Sequence, residues 1–227
     1  MSGAAAPQVV LWRHGRTAWN VEGRWQGHTD IPLDDEGLAQ VEAAAAVLAA
    51  RRPVRVVSSD LARARGTAGA LALAADLPVT LDPRLREVHG GAWQGLRREE
   101  IAAGWPQEHA AWLAGEEVPA GDGGETRAQA GTRVAAAVRE QSAGLDDGQV
   151  LVCVGHGGSL GAGLVRLLGL PDGGVLTGLR NARWTTLVRS GGGTWRLLEH
   201  NAGVWARAGA ARTAAGGGDL ERPERAG

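Results

Sequence analysis

The sequence predicts an α/β fold: a three-layer sandwich with a mostly parallel central sheet, an antiparallel edge strand, helices on both faces and a lid insertion. Three observations predict it. Short apolar runs alternate with longer alanine-rich stretches of helical spacing, the mark of repeated βα units. The runs end abruptly in glycine, serine or charge, as buried strands do where they feed loops at one edge of a sheet. Near the carboxyl end, two apolar segments flank Gly191-Gly192-Gly193, which reads as a hairpin at the sheet edge.

Taken in order, Gln8 to Trp12 is the first strand, followed by a polar loop. Asp35 to Arg51 is a helix, with Leu38, Val41, Ala45 and Leu48 at helical spacing and Pro53 marking its end. Val54 to Val57 is the second strand, Leu61 to Ala75 a helix capped by Ser59 or Asp60, and Val79 to Leu81 the third strand. From Arg84 to Gly124 the pattern loosens into short helical pieces around Trp93, Trp105 and Trp112, so residues 88–125 read as the lid insertion. Thr126 and Gln129 fit a capping box that opens a helix running to about Ser142; Gln149 to Val154 is the next buried strand and Gly157 to Leu168 a glycine-softened helix. Trp184 to Arg189 and Trp195 to Glu199 form the terminal pair. A single domain over residues 1–205 is expected, with 206–227 a disordered tail because it lacks periodic apolar residues.

The composition narrows the function. The formal net charge is −1 and there is no lysine, so no global positive field exists to hold nucleic acid or an anionic membrane, and any anion site must be local. A P-loop is excluded with lysine. The single cysteine, Cys153, lies in an apolar run and builds no intrachain disulfide framework, which suits a reducing cytoplasm. Neither a secretory leader nor a membrane span is expected, because no apolar run approaches about 20 residues. The histidines are scattered without metal-ligand spacing, so no metal and no cofactor are expected.

Chemistry concentrates where strands end. Arg13-His14-Gly15 stands at the carboxyl end of the first strand, where open α/β sheets bind ligands. A neutral imidazole is a competent nucleophile toward phosphorus, an adjacent guanidinium neutralises phosphate oxygens, and Gly15 lets the backbone approach an anion. Gly155-His156-Gly157 places a second histidine at a strand end and a helix N-terminus, where backbone N–H groups favour anions. Arg63 lies in the first helical turn after Ser58-Ser59-Asp60, within reach of the same edge. Glu87 precedes the glycine-rich, tryptophan-anchored loop that runs to Gly95.

With these four segments in this order, the chain resembles the histidine phosphatase superfamily, also called phosphoglycerate mutase-like, from Val9 to about Gly203. The resemblance implies His14 as the nucleophile that becomes phosphohistidine, with Arg13, Arg63 and His156 holding the phosphoryl oxygens and Glu87 as proton donor. Asn20 and Gln26 then line the phosphate pocket, and the backbone at Gly15 and Gly157 contacts substrate. Two arginines and a protonated His156 would supply the positive charge that phosphoryl transfer requires. Glu87 should be partly protonated, which needs burial or a neighbouring charge to favour its acid form. His28 and His89 are better read as loop residues than as groups at the pocket mouth, and Trp19, Trp25, Trp93 and Trp112 as core packing rather than sugar-stacking surfaces.

The short segment after Glu87 resembles the family's phosphatases rather than its mutases, so hydrolysis is favoured over mutase-type transfer and over a phosphate-binding module without catalysis. The expected partner is a small phosphorylated metabolite, a sugar phosphate or phosphoglycerate derivative, with glucosyl-3-phosphoglycerate among the candidates. A homodimer through an edge strand is expected by analogy alone.

Overall fold

The computed structural model describes residues 6–171, 175–190 and 193–204. Its sheet has six strands: β1 (Gln8–Arg13), β2 (Arg55–Ser58), β3 (Val79–Leu81), β4 (Val150–Gly155), β5 (Trp184–Arg189) and β6 (Trp195–Ala202), in spatial order β3-β2-β4-β1-β5-β6. β1, β2, β3 and β4 are parallel; β5 pairs antiparallel with β1 and β6 antiparallel with β5, which makes the antiparallel edge. Residues 191–192, which contain most of the expected hairpin turn, and the expected tail at 206–227 lie outside the described residues.

Strand periodicity explains the layers. Val9, Leu11, Leu151 and Cys153 face one side of the sheet, under α6 (Arg127–Gln141) and α7 (Gly157–Leu168). Val10, Trp12, Val150, Val152 and Val154 face the other, under α2 (Asp35–Ala49) and α3 (Ala62–Ala75). Because both faces are covered, β1 and β4 are buried along nearly their whole length and read as unbroken apolar runs. Asp34 caps α2 by accepting from the Gly37 N–H at 2.7 Å, and the Thr126–Gln129 capping box opens α6 as its residues imply.

The loop after β1 differs from expectation in holding a short helix, α1 (Ala18–Glu22). Thr17 and Asn20 form its capping box; five residues are too few for apolar periodicity to announce it. Residues 88–125 contain α4 (Arg98–Gly104) and α5 (Pro106–Ala114). They pack around a third cluster built on Trp25, Trp93 and Trp112, with ring centroids 5.3 to 5.9 Å apart in edge-on contacts, so these three indoles are core.

The β1 loop and α2 approach through two glycines. A Cβ on Gly15 would stand 2.6 Å from the Gly37 carbonyl oxygen, and a Cβ on Gly37 would collide with the Arg16 backbone. Gly37→Ala, which in an unconstrained helix stabilises by about 1 kcal/mol, is therefore expected to destabilise this fold by about 1–3 kcal/mol. Urea unfolding of the variant checks the sign.

Candidate active site

The parallel strands β2, β4 and β1 are neighbours, so their carboxyl ends bring Ser59, His156 and Arg13-His14 side by side. The His14 N–H bonds the Gly155 carbonyl at 3.0 Å, tying the two histidine loops together, and the two imidazole centroids stand 5.1 Å apart at an interplanar angle of 59°. One phosphorus can reach both rings. Arg13, His14, Arg63, Glu87 and His156 are all buried.

Nδ1 of His14 lies 2.6 Å from the Gly15 carbonyl oxygen. A carbonyl only accepts, so Nδ1 carries the proton and Nε2 keeps its lone pair. Burial, and then the Arg63 and Arg13 guanidiniums, hold the His14 pKa well below its ordinary 6.5, so the ring is neutral at neutral pH.

His156 is fixed from both sides. Arg63 Nε donates to its Nδ1 at 3.1 Å, and its Nε2–H donates to the Ser59 hydroxyl at 2.9 Å. Burial, followed by the charge of Arg63, keeps its pKa well below the usual range. This corrects the protonated His156 of the sequence reading: beside a guanidinium and out of water, the imidazole accepts, and the positive charge around the site comes from Arg13 and Arg63. The other Arg63 nitrogens reach the carbonyls of Thr29 and Gly27 at 2.8 and 2.7 Å, closing the 27–29 loop over the strand ends. Arg13 donates from Nη1 to the Leu179 carbonyl at 2.7 Å, and its guanidinium lies 3.0 Å from where a Cβ on Gly157 would stand.

Glu87 occupies the N-terminus of α7. Its carboxylate oxygens accept from the N–H groups of Gly158 (3.1 Å), Ser159 (2.7 Å) and Val88 (2.9 Å), a pattern suited to an acceptor-only carboxylate. The burial that the sequence reading required is present, but the neighbours are N–H donors, and the helix end expected to face a phosphate faces Glu87 instead. A Cβ on Gly158 would stand 2.9 Å from Glu87 Oε1, so a side chain there would push the carboxylate from its present position.

Asn20 and Gln26 adjoin the His14 loop. Asn20 Oδ1 accepts from the Thr17 N–H at 3.1 Å, and Gln26 Oε1 lies 3.1 Å from the Thr17 hydroxyl. Gln26 Nε2 is buried with no hydrogen-bond partner among the described residues, which suits a donor for an anion. The Gly15 N–H donates to Thr67 Oγ1 at 3.2 Å, its carbonyl accepts from His14 Nδ1–H, and its missing Cβ makes room for α2. His28 and His89 stand in edge-on contact, centroids 4.9 Å apart, and His28 Nε2–H donates to the Glu87 carbonyl at 2.8 Å.

Sequence reasoning missed the residues that hold this constellation. Arg133 donates to the carbonyls of Arg84, Arg86 and Glu87 and pairs with Glu125 at 2.8 Å, locking the Glu87 segment. On α6 it reads as one more helix charge, and no spacing connects it to residues nearly fifty positions earlier. Asn181, beside His14, has no local signal either.

Comparison with known proteins agrees with this geometry. The profile of the Histidine phosphatase superfamily (branch 1) matches residues 9–203. The chain is 42% identical over 191 residues to a glucosyl-3-phosphoglycerate phosphatase of Mycolicibacterium vanbaalenii, covering 80% of this chain and 84% of that protein. It is 36% identical over 189 residues to a metal-independent phosphoserine phosphatase of Arabidopsis thaliana, covering 78% of each. A solved structure of mycobacterial glucosyl-3-phosphoglycerate phosphatase in complex with VO3 superposes with a TM-score of 0.80 at 40% identity, covering 86% of this chain and 99% of that one. Two facing imidazoles, two buried guanidiniums and a buried carboxylate at the strand ends thus occur on a fold and a sequence of one known kind, and the chain belongs to the histidine phosphatase superfamily.

Proposed function

We propose that this phosphatase hydrolyses a small phosphate monoester through a phosphohistidine on His14, without a metal, and that glucosyl-3-phosphoglycerate is the first substrate to test. The observation that carries the reading is the His14 ring: neutral, with its Nε2 lone pair available, set between Arg13 and Arg63 and 5.1 Å from His156. In the first step Nε2 attacks phosphorus and the bond to the ester oxygen breaks. Arg13 and Arg63, joined by Asn20 and Gln26, surround the equatorial oxygens, and His156 joins them by turning its Nε2–H from the Ser59 hydroxyl to a phosphoryl oxygen. Glu87 passes a proton to the leaving alkoxide; since its oxygens already accept three N–H bonds, that proton arrives with the phosphate monoanion. In the second step Glu87 takes a proton from water, which attacks phosphorus, and the N–P bond breaks to release phosphate.

The substrate assignment rests on the similarity to relatives of that name. A cytoplasmic setting fits Cys153, whose thiol is pushed up to about 12 by burial and stays unreactive; no helix among the described residues is long and apolar enough to cross a membrane. A homodimer is supported by β6, an eight-residue strand at the end of the sheet order.

The test is a panel of phosphorylated metabolites assayed with a metal chelator present, followed by trapping of the phosphoenzyme. The expected outcome is undiminished turnover with glucosyl-3-phosphoglycerate well ahead. A flat profile would remove that substrate, and transfer to an acceptor alcohol in preference to water would replace hydrolysis by mutase-type chemistry.

A further inference from the structure

We propose that Asn181 is a positioning residue that sets both the nucleophile and an anion-binding amide, an inference that rests on His14 being the nucleophile. Its Nδ2 lies 3.2 Å from each of three oxygens: the His14 carbonyl, the Gly15 carbonyl and Asn20 Oδ1. The Gly15 carbonyl is also the acceptor for His14 Nδ1–H. A donor that fixes that carbonyl therefore fixes the tautomer and the tilt of the ring, the same way an outer hydrogen bond orients a catalytic imidazole.

The Asn20 contact acts on the ligand side. Asn20 Oδ1 gathers donors from the Thr17 N–H, the Thr17 hydroxyl and Asn181 Nδ2, at 3.0 to 3.2 Å. With the oxygen end of the amide held inward, its NH2 end is the one left to face an anion, and the wrong flip would present an oxygen to phosphate. One side chain on the 179–183 loop thus orients the groups that attack and bind the same phosphoryl group.

The surrounding loop is built to hold this position. Ala182 adopts φ 54°, a left-handed conformation that side-chain-bearing residues seldom take, and its N–H then reaches the His14 carbonyl at 3.0 Å. Trp12 Nε1 donates to the Ala182 carbonyl at 3.2 Å, and Arg13 N–H and Nη1 reach the carbonyls of Arg183 and Leu179. The loop that carries Asn181 is therefore clamped to the end of β1 by backbone contacts independent of its side chain.

The test compares wild type, Asn181→Ala and Asn181→Asp on a chromogenic phosphate ester, with single-turnover formation of phosphohistidine and thermal melting alongside. For Asn181→Ala, kcat and the rate of phosphohistidine formation fall by about 10–100-fold, and KM rises as the Asn20 amide loses the donor that holds its oxygen inward. Asn181→Asp has the same shape but sets a carboxylate against three oxygens, so it loses more. Its negative charge also favours the imidazolium of His14 and moves the acid limb of the kcat/KM profile to higher pH, a shift Asn181→Ala does not show. Wild-type kcat in Asn181→Ala, or equal losses in both variants with lowered melting and no shift of the limb, overturns the inference. So does failure of both variants to fold, which makes Asn181 a purely structural residue. If wild type forms no phosphohistidine on His14, the proposed function fails instead.

Discussion

Replacing His14 with alanine lowers kcat by on the order of 10⁶-fold and abolishes the covalent phosphoenzyme. The loss is this large because no other group can take over. Both nitrogens of His156 are engaged, one accepting from Arg63 and the other bonded to Ser59, and the Glu87 oxygens are held by three backbone N–H groups. What survives in the variant is the phosphate cradle, so binding of inorganic phosphate should persist while turnover does not. The check is a rapid quench with labelled ester, since a phosphorus–nitrogen bond is labile to acid and stable to base. Label remaining on the His14→Ala chain, or turnover within about tenfold of wild type, which amounts to only about 1.4 kcal/mol of barrier, would falsify the assignment of the nucleophile.

The layers and the strand-end constellation were legible in the sequence for a common physical reason. Buried parallel strands demand unbroken apolar runs, so Val9 to Trp12 and Val150 to Val154 mark themselves, and the polar residues that interrupt them stand at the ligand-binding edge. His14, His156 and Arg63 stand at or just after such edges, whereas Glu87 is marked by the glycine-rich loop that it precedes and by the family resemblance. Protonation was not legible, because it depends on which nitrogen faces which partner: the neutral His156 follows from a guanidinium nearly a hundred positions away in sequence. Gly15 illustrates a second limit. A glycine beside His14 suggests room for an anion, but the space where its side chain would stand is taken by α2, whose approach is set by tertiary packing. Arg133, Glu125 and Asn181 escaped for the same reason: Arg133 and Asn181 donate to backbone carbonyls and Glu125 accepts from the His89 N–H, backbone groups that carry no side-chain identity to pair with.

Acid should weaken the fold well before its carboxylates begin to protonate. His14 and His156 are buried and their pKa values are held well below 6.5, chiefly by burial and secondly by Arg63. The unfolded chain gains protons on both as pH falls through 6.5 while the folded chain does not, so the stability they contribute is fully present above that value and is lost on acidification. Each supplies a slope of up to about 1.4 kcal/mol per pH unit below 6.5. His28 and His109 are lowered too and add in the same direction, whereas the lowered carboxylates of Asp60, Asp82, Glu125 and Glu199 act only in the window below their ordinary 3.8 to 4.5. Urea unfolding at about pH 7.5, 6.5 and 5.5 should give a shallow first interval and one about two to three times steeper below it, and His14→Gln should remove its share of the slope. Inorganic phosphate should do more than stabilise by mass action. A dianion between the two rings favours their charged forms, raises both pKa values toward that of the unfolded chain and flattens the lower interval, so a slope indifferent to saturating phosphate would separate His14 and His156 from the anion site.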